Sequence, residues 1–183
     1  RLDDEAWQAA TKLGPFLPLA TAAEQQVQNT TAWAVWDEAA LYIAVRCAEP
    51  KPKKMRLCGN KRDDDIWGGD DVEVLIRTPD QKDAFYHFMI NPAGVVWDSI
   101  NRAGSEDRSY NPSWQHAASV GSDFWAAEMA IPWKALGLNP RPGLQLRANI
   151  CRQRFQGHEL SAWSPMARGF LEPEFFGTWT LSA

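Results

Sequence analysis

The stretch best suited to binding chemistry combines one aromatic ring, Trp67, with one carboxylate, Glu73. Residues 72–76 alternate apolar side chains on one face with Glu73 and Leu75 on the other, which is the period of a β-strand. An indole beside a hydrogen-bond acceptor fits a pyranose, since that ring has a face of C–H groups and a rim of hydroxyls. A tryptophan that merely covers the end of a core explains the same pattern.

An acidic loop precedes Trp67 and contains Asp63, Asp64 and Asp65. Carboxylate oxygens are the hard donors that Ca²⁺ prefers, although the spacing is not that of an EF-hand. A solvated acidic loop accounts for the same residues. The sequence therefore predicts a structural calcium site at these three aspartates as one of two alternatives.

Haem is the other cofactor that the sequence suggests, because His87 and Met89, two residues apart, share one face of the next predicted strand. Histidine and methionine together ligate the iron of some cytochromes. Two residues apart on one strand, however, they approach from the same side and cannot be the two axial ligands of one iron. A haem-binding electron-transfer domain, with a second ligand supplied from elsewhere, is one alternative function. The other is a structural or protein-interaction sandwich that packs its spare aromatic rings against a neighbouring domain.

No catalytic constellation can be assembled from the sequence. The three histidines are far apart, and no serine or cysteine lies in a nucleophile-elbow context. Glu73 and Glu128 are the best pair of carboxylates for glycoside hydrolysis. Glu128 lies within the strand-like residues 126–131, where a structurally paired acid is the better explanation. We therefore predict a protein that is not an enzyme.

The bulk composition is that of one globular domain spanning residues 1–183. The net charge is −4 and the basic residues are scattered, which argues against nucleic acid as a partner. No apolar run approaches the length of a membrane span. Ten tryptophans exceed the need of one core, so some rings are expected at a surface. The chain begins at Arg1 without an initiator methionine, as expected of a piece of a longer or processed protein.

Short strands at intervals of 8–12 residues, separated by turn residues, predict an all-β fold, an antiparallel β-sandwich of the jelly-roll or immunoglobulin-like type with minor short helices. The residues opposite Leu144, Leu146, Ala148 and Ile150 on one long strand are polar, as in a solvent-facing sheet or the floor of a groove. The predicted strands cover residues 29–36, 41–47, 72–76, 85–91, 95–98, 114–120, 124–131, 144–155, 160–163 and 176–181.

Eight short segments, in order along the chain, resemble the family 9 carbohydrate-binding modules. They are residues 2–7, 36–43, 66–74, 88–94, 125–133, 148–152, 161–165 and 172–177. The resemblance implies a non-catalytic module that binds an oligo- or polysaccharide, is extracytoplasmic, and neighbours a catalytic domain such as a glycoside hydrolase. It also implies loops stabilised by calcium. The same sandwich resembles the haem-carrying domains of some extracellular dehydrogenases.

The resemblance also implies site residues. Some members of the family hold a sugar between two tryptophans, and these positions match Trp67 and Phe170, with Glu73 as the acceptor carboxylate. The family's sugar-contacting arginine and glutamine match Met89 and Cys151, which are poor hydrogen-bond partners. We therefore expect polar support from Asn149, Arg152, Gln153 or Arg168, and of these Asn149 and Arg152 are the predicted site residues.

Overall fold

Two antiparallel sheets make up the fold, as predicted. The computed structural model describes the backbone of residues 5–182 and the side chains of residues 7–182. The thirteen strands of this part are β1 (Thr11–Leu13), β2 (Leu17–Pro18), β3 (Thr30–Trp36), β4 (Ala40–Ala48), β5 (Asp71–Arg77), β6 (Ala84–Ile90), β7 (Val96–Arg102), β8 (Ser105–Asp107), β9 (Gln115–Val120), β10 (Phe124–Pro132), β11 (Gln145–Arg154), β12 (Glu159–Ala162) and β13 (Gly177–Thr180).

One sheet has five strands in the order β1-β3-β4-β10-β9. The other has eight, in the order β2-β12-β11-β5-β6-β7-β8, and β13 pairs with β11 beyond the end of β12. The strands pair antiparallel because most connections are short turns, which join neighbouring strands in opposite directions. The central strands β5 and β11 lie side by side, with Glu73 opposite Cys151.

The main core lies between the sheets and follows the period of two along each strand. From the eight-stranded sheet it takes Val72, Val74 and Ile76 of β5, and from the five-stranded sheet Ile43 and Val45 of β4, all fully buried. Because alternate residues point to opposite faces, the other half of β5 lies on the outside of the sandwich. We call this side of the eight-stranded sheet the outer face; it carries Asp71, Glu73, Leu75 and Arg77 of β5.

All ten predicted strands are present, with ends shifted by at most a few residues except at β7, which runs to Arg102 rather than residue 98. The short strands β1, β2 and β8 were not predicted, because two- and three-residue strands carry too few residues to show a period. One of the short helices is a 3₁₀ turn at Trp133–Leu136, ended by Gly137 with φ 65°.

At the start of the chain, Asp3 and Asp4, which resemble the beginning of the family's sequence, lie outside the described residues. Trp7 follows in the 3₁₀ turn Glu5–Gln8 and donates a 3.1 Å hydrogen bond from its Nε1 to Glu128. Glu128 is thus the structurally paired acid that the sequence favoured. No helix in residues 5–182 is both long and apolar enough to cross a membrane.

Candidate functional site

A row of side chains in register crosses the outer face on four neighbouring strands. It runs from Cys151 on β11 through Glu73 on β5 and Met89 on β6 to Trp97 on β7. At about 4.8 Å per strand, the row spans about 14 Å. Glu73 carries the one carboxylate in this row, which makes it the centre of the candidate site.

Trp67 is placed by a loop, residues 56–70, that is tied to the sheet at several points. The side chain of Gln153 on the outer face donates to the backbone carbonyls of Trp67 and Gly69, the latter at 2.9 Å. Asn91 at the end of β6 donates to the carbonyl of Cys58 at 2.7 Å. Gly69 is required here, because a Cβ would lie 2.3 Å from the carbonyl oxygen of Arg56.

A further tie comes from Arg62 in the same loop. Its guanidinium pairs with the buried carboxylate of Asp98 and donates to Asn111 Oδ1 at 2.7 Å and to the carbonyl of Pro112 at 2.9 Å. Trp114 donates to the same Asp98 carboxylate from its indole at 3.0 Å. This one side chain therefore connects the loop that carries Trp67 to β7 and to the segment before β9.

The ring of Trp67 is 38% exposed and packs edge-to-face on Trp97, with 5.6 Å between ring centroids. The guanidinium carbon of Arg108 lies 5.0 Å from the centroid of Trp67 and 5.8 Å from that of Trp97. Arg108 also forms ion pairs with Glu106 at 2.7 Å and Asp65 at 3.4 Å, and half of its side chain is exposed. The site thus offers an accessible indole beside a cationic donor group.

Trp67 and Glu73 are connected by contacts along the outer face. Trp97, under Trp67, lies 5.0 Å from the ring of His87, and His87 Nε2 lies 2.6 Å from Glu73 Oε2. Glu73 is recessed, with 6% of its surface exposed. The pair with His87 fixes the orientation of the carboxylate and leaves its second oxygen for another donor.

Asp71 is the next outer-face residue of β5 before Glu73. It is fully buried, and neither of its oxygens finds a hydrogen-bond partner of good geometry among the described residues. Burial, followed by the negative charges of Glu73 and Asp70, raises the pKa of Asp71 well above its usual value.

Phe170 lies on the same outer face but is only 8% exposed. It packs with Leu75 and Cys151 of the sheet and with Met166 and Phe176 of the covering loop. Phe170 therefore belongs to an apolar cluster over β5 and β11, whereas the ring of Trp67 contacts Trp97 of β7. The Phe170 ring does not form the open second wall that the sequence led us to expect, because its apolar neighbours remove most of it from solvent.

Asn149 is also on the outer face, two residues before Cys151, and is fully buried. Its Nδ2 donates to the carbonyl of Ser164 at 2.9 Å, and its Oδ1 accepts from the backbone N–H of Ser164 at 2.9 Å. These two bonds hold the segment after β12 against β11. Both polar atoms of the Asn149 amide are therefore used in hydrogen bonds with the backbone, and the predicted contact of this side chain with a sugar has no support.

Arg152 corrects the sequence analysis, which placed it beside the sugar. Its side chain points to the opposite face of β11, between the sheets, and is 1% exposed. It donates to Thr30 Oγ1 at 3.0 Å and to the carbonyl of Ala48 at 2.7 Å. The reason is the period of two: Arg152 shares the parity of Ala148 and Ile150, which are core residues.

The three aspartates proposed for calcium have different neighbours. Asp64 accepts from the backbone N–H groups of Asn60 and Lys61, Asp65 pairs with Arg108, and Asp63 lies 3.7 Å from Arg62. In the part of the chain that the structure describes, no group of three histidine, cysteine or acidic side chains is arranged to hold a metal ion. The residues present therefore do not fit a preformed calcium site, and calcium stays a prediction.

His87 and Met89, the residues behind the haem alternative, lie on one face of β6 as predicted. His87 is engaged by Glu73, and Met89 is buried in a small cluster with Ile66 and Trp97. Haem binding stays a prediction that no contact in the site favours.

Two residues of the site were missed by the sequence analysis. Trp97 supports Trp67, and Arg108 covers part of it. For Trp97 a signal existed, since it alternates within β7 with the core residues Val96 and Ile100 and so had to face outward. For Arg108 there was none, because it lies in a loop 41 residues after Trp67 and only the tertiary fold brings them together.

The family model described as "Carbohydrate family 9 binding domain-like" matches residues 1–183. No curated protein matches the sequence.

Similar solved structures share the fold at low sequence identity. One, from Bacteroides uniformis ATCC 8492, is named as a candidate carbohydrate-binding protein; it has 15% identity and a TM-score of 0.79, over 96% of this chain and 88% of that one. A family 9 carbohydrate-binding module from Caldicellulosiruptor kristjanssonii, in complex with cellotriose, has 15% identity and a TM-score of 0.69, over 98% and 86%. Its complex with glucose gives the same identity and TM-score, over 98% and 87%.

Proposed function

Because this chain belongs to the carbohydrate family 9 binding domain-like family, we propose that it binds a saccharide on the outer face of its eight-stranded sheet, without catalysis. A pyranose ring stacks on the exposed part of Trp67, and Glu73 accepts hydrogen bonds from its hydroxyls. An aromatic face and a carboxylate match the two chemical sides of a sugar.

The observation that carries this proposal is the contact chain from Trp67 through Trp97 and His87 to Glu73. It puts an accessible indole and an oriented carboxylate on the same sheet face. Trp97 supports the indole from below and His87 holds the carboxylate, so both groups are fixed before a ligand arrives. Preorganisation of this kind reduces the entropy lost on binding.

Arg108 is the third ligand-binding residue in this proposal. Its guanidinium is a donor group next to Trp67, while Met89 and Cys151 beside Glu73 are weak hydrogen-bonding partners. A hydroxyl that approaches Glu73 from the Trp67 side meets Arg108 as its donor. Besides its contacts with the two indoles, Arg108 is held by ion pairs with the exposed acids Glu106 and Asp65, so it can move over the indole to admit a sugar ring.

The wider context is part of the same proposal. Cellotriose and glucose, the ligands of the C. kristjanssonii module, are the first probes to use, since β-linked glucose units present flat C–H faces. We propose an extracytoplasmic module that keeps a neighbouring catalytic domain close to its polysaccharide. Increasing the local concentration of substrate requires only weak binding at each module.

The experiment is a calorimetric titration of wild type and Trp67→Ala with glucose, cellotriose and a panel of other oligosaccharides. Loss of a stacking platform costs about 1–3 kcal/mol, by analogy with base stacking on aromatic side chains, so affinity should fall about 5- to 150-fold. Phe175→Ala is the matched control, because Phe175 is 40% exposed but lies away from this contact chain. Equal affinities for wild type and Trp67→Ala would remove Trp67 from the site.

A further inference from the structure

Two arginines lie side by side at the far end of the outer face. Arg77 of β5 is the register partner of Arg147 of β11, and Thr178 of β13 is the next residue of the same row. Directly opposite residues in an antiparallel pair are about 4.5–5.5 Å apart at Cα, and like charges at such positions destabilise a sheet. The pair is therefore costly unless something compensates its charge.

No carboxylate of residues 7–182 compensates it by an ion pair. Arg77 Nε donates to the carbonyl of Gln81 at 3.2 Å, and Arg147 Nη2 donates to the carbonyl of Glu174 at 3.4 Å. Each guanidinium is thus oriented by one backbone oxygen of a flanking loop. Its remaining N–H groups stay available, in a planar fork that suits the two oxygens of a carboxylate or a sulfate.

The two arginines form part of an open groove of about 680 Å³. Lys82 and Arg141 also line it, and Glu174 is the one acid among its lining residues. Four cations against one carboxylate is a local excess of positive charge in a protein whose net charge is −4. The groove therefore attracts anions.

The groove is longer than a single ion needs. A second cavity of about 390 Å³ shares Arg77, Lys82, Pro173 and Glu174 with it and continues past Asp83 to Phe85 and Asn101. Asp83 adds one carboxylate at that end, so the negative group of a ligand belongs at the arginine pair, and Phe85 and Asn101 suit an uncharged part of the same ligand. Arg77 lies four positions after Glu73 on β5, about 13 Å away, so the groove is distinct from the Trp67 site.

We propose that this groove binds an acidic sugar, with the Arg77–Arg147 pair holding an oxyanion of a saccharide chain. The oxyanion is the carboxylate of a uronic acid or a sulfate ester, which share the bidentate geometry. That the ligand is a saccharide rests on the proposed function, whereas recognition of an oxyanion rests on the groove alone. The domain then selects polysaccharides that carry negative charge.

The test is titration at low salt with trigalacturonate, a sulfated trisaccharide, cellotriose and triglutamate. Wild type should bind at least one of the two acidic trisaccharides, and the tighter of them identifies the oxyanion. Raising the salt should weaken this binding, because exposed charges are screened. Failure to bind either acidic trisaccharide, or equally tight binding of triglutamate, would overturn the proposal.

Variants assign the binding to the groove. Arg77→Gln with Arg147→Gln should lower the affinity for the acidic trisaccharide at least tenfold, and Lys82→Ala, whose exposed side chain cannot disturb folding, should lower it several-fold. Arg46→Gln and Lys53→Ala are matched changes of charge elsewhere on the surface and should have no effect. Equal affinities in groove variants and controls would exclude the groove.

Trp67→Ala separates this proposal from the proposed function. If saccharide binding at Trp67 fails, cellotriose is not bound or is bound equally by Trp67→Ala. The same set of titrations measures independently how the affinity for the acidic trisaccharide depends on Arg77, Arg147 and Lys82. If the acidic trisaccharide no longer binds to Trp67→Ala but still binds to the groove variants, the ligand lies at the Trp67 site. That result would contradict binding in the groove.

Discussion

At the scale of single residues, the candidate site has few polar side chains near Glu73 on the outer face, and this limits the hydrogen bonds that it can form with a ligand. Its register neighbours Cys151 and Met89 are both buried and contribute packing rather than hydrogen bonds. A site that loses two hydrogen-bond partners changes which hydroxyls it can recognise, since each partner is worth about 1–3 kcal/mol. Arg108 is the residue placed to supply a donor instead.

Asp71 gives a prediction about stability and pH. Its pKa is raised in the folded state by burial and by the charge of Glu73, so the folded protein holds a proton that the unfolded chain releases. Stability therefore decreases as pH rises from the unfolded value, near 3.8, towards the folded one. Asp71→Asn should stabilise the protein at pH 7 by about 1–3 kcal/mol, because folding of the variant no longer requires a buried carboxyl to take up a proton.

Urea denaturation of wild type and Asp71→Asn at pH 7 and pH 4 measures this effect. The difference in free energy of unfolding between Asp71→Asn and wild type should shrink towards zero at pH 4. At that pH the Asp71 carboxyl of wild type is protonated in the folded state, and in the unfolded chain the pH is close to the pKa of the same carboxyl. Asp80→Asn, at an exposed turn, is the control. A variant less stable than wild type at pH 7 would contradict the assignment of an uncompensated carboxyl to Asp71.

At the scale of elements, buried ion pairs join the ends of strands at one edge of the sandwich. Glu49, just after β4, accepts from Arg154 of β11 at 2.6 and 3.1 Å, and Arg154 also pairs with Glu159 of β12 at 2.5 Å. Arg152 lies 3.9 Å from Glu49 in the same group. These residues connect the five-stranded sheet to the eight-stranded one.

Glu49 gives a second prediction on pH, of opposite sign. Burial raises its pKa, but the hydrogen bonds from Arg154 and from the Lys51 N–H, with the nearby arginine charges, outweigh burial and hold the pKa below its usual value. The stability from this pair is therefore complete above the unfolded value, near 4.5, and is lost as pH falls through the folded one. Glu49→Gln should destabilise the protein at pH 7 by about 3–5 kcal/mol.

The same denaturation series, extended to low pH, measures this prediction. The difference between wild type and Glu49→Gln should narrow as pH falls below 4.5, because wild type itself loses the ionised pair. Glu38→Gln changes an exposed acid and should have little effect at any pH. A constant difference between wild type and Glu49→Gln from pH 7 to pH 3 would show that charge is not the source of the stability.

At the scale of the whole molecule, the reactivity of the three cysteines indicates whether the two sheets stay packed together. All three are free thiols; Cys47 and Cys151 are buried and Cys58 is partly buried. Burial raises the pKa of Cys47 to about 11, and burial also raises that of Cys151, with the charges of Glu73 and Asp71 adding to it. Roughly one Cys47 thiol in ten thousand is then ionised at pH 7, and the thiolate is the reactive form.

We therefore expect a thiol-reactive dye to label native protein at Cys58 alone on a timescale of minutes, and unfolded protein at all three cysteines. Mass spectrometry of the labelled peptides distinguishes the positions, and Cys58→Ser provides the blank. Labelling of Cys47 or Cys151 at the rate of Cys58 would mean that the sheets separate readily in the native state.

The two proposed binding sites lie apart on the molecule. The Trp67 site and the basic groove lie at opposite ends of β5 on one face, while the other face of the sheet is core. A long ligand that reached both would have to cross the apolar cover formed by Phe170, Met166 and Phe176. Two separate contacts on one sheet face are therefore the simpler arrangement for a chain-like ligand.

Much of the fold followed from the sequence alone, because it depends on local rules. Alternation of side chains located the strands that form both sheets, and turn residues located their ends. The same alternation placed Glu73 and Leu75 opposite Val72 and Val74, as the structure confirms. It also placed Arg152 with Ala148 and Ile150, so a strict use of the period would have excluded Arg152 from the sugar site.

Tertiary structure alone decided which side chains meet on the outer face. Arg108 reaches Trp67 from a distant loop, His87 engages Glu73 from the neighbouring strand, and the segment around Phe170 folds down over Cys151. Such contacts depend on strand register and loop paths, which bring together residues far apart in sequence and leave no local pattern. The sequence determined which residue types were available and which face each strand residue takes; the packing of loops onto the sheet decided which of them remain open to a ligand.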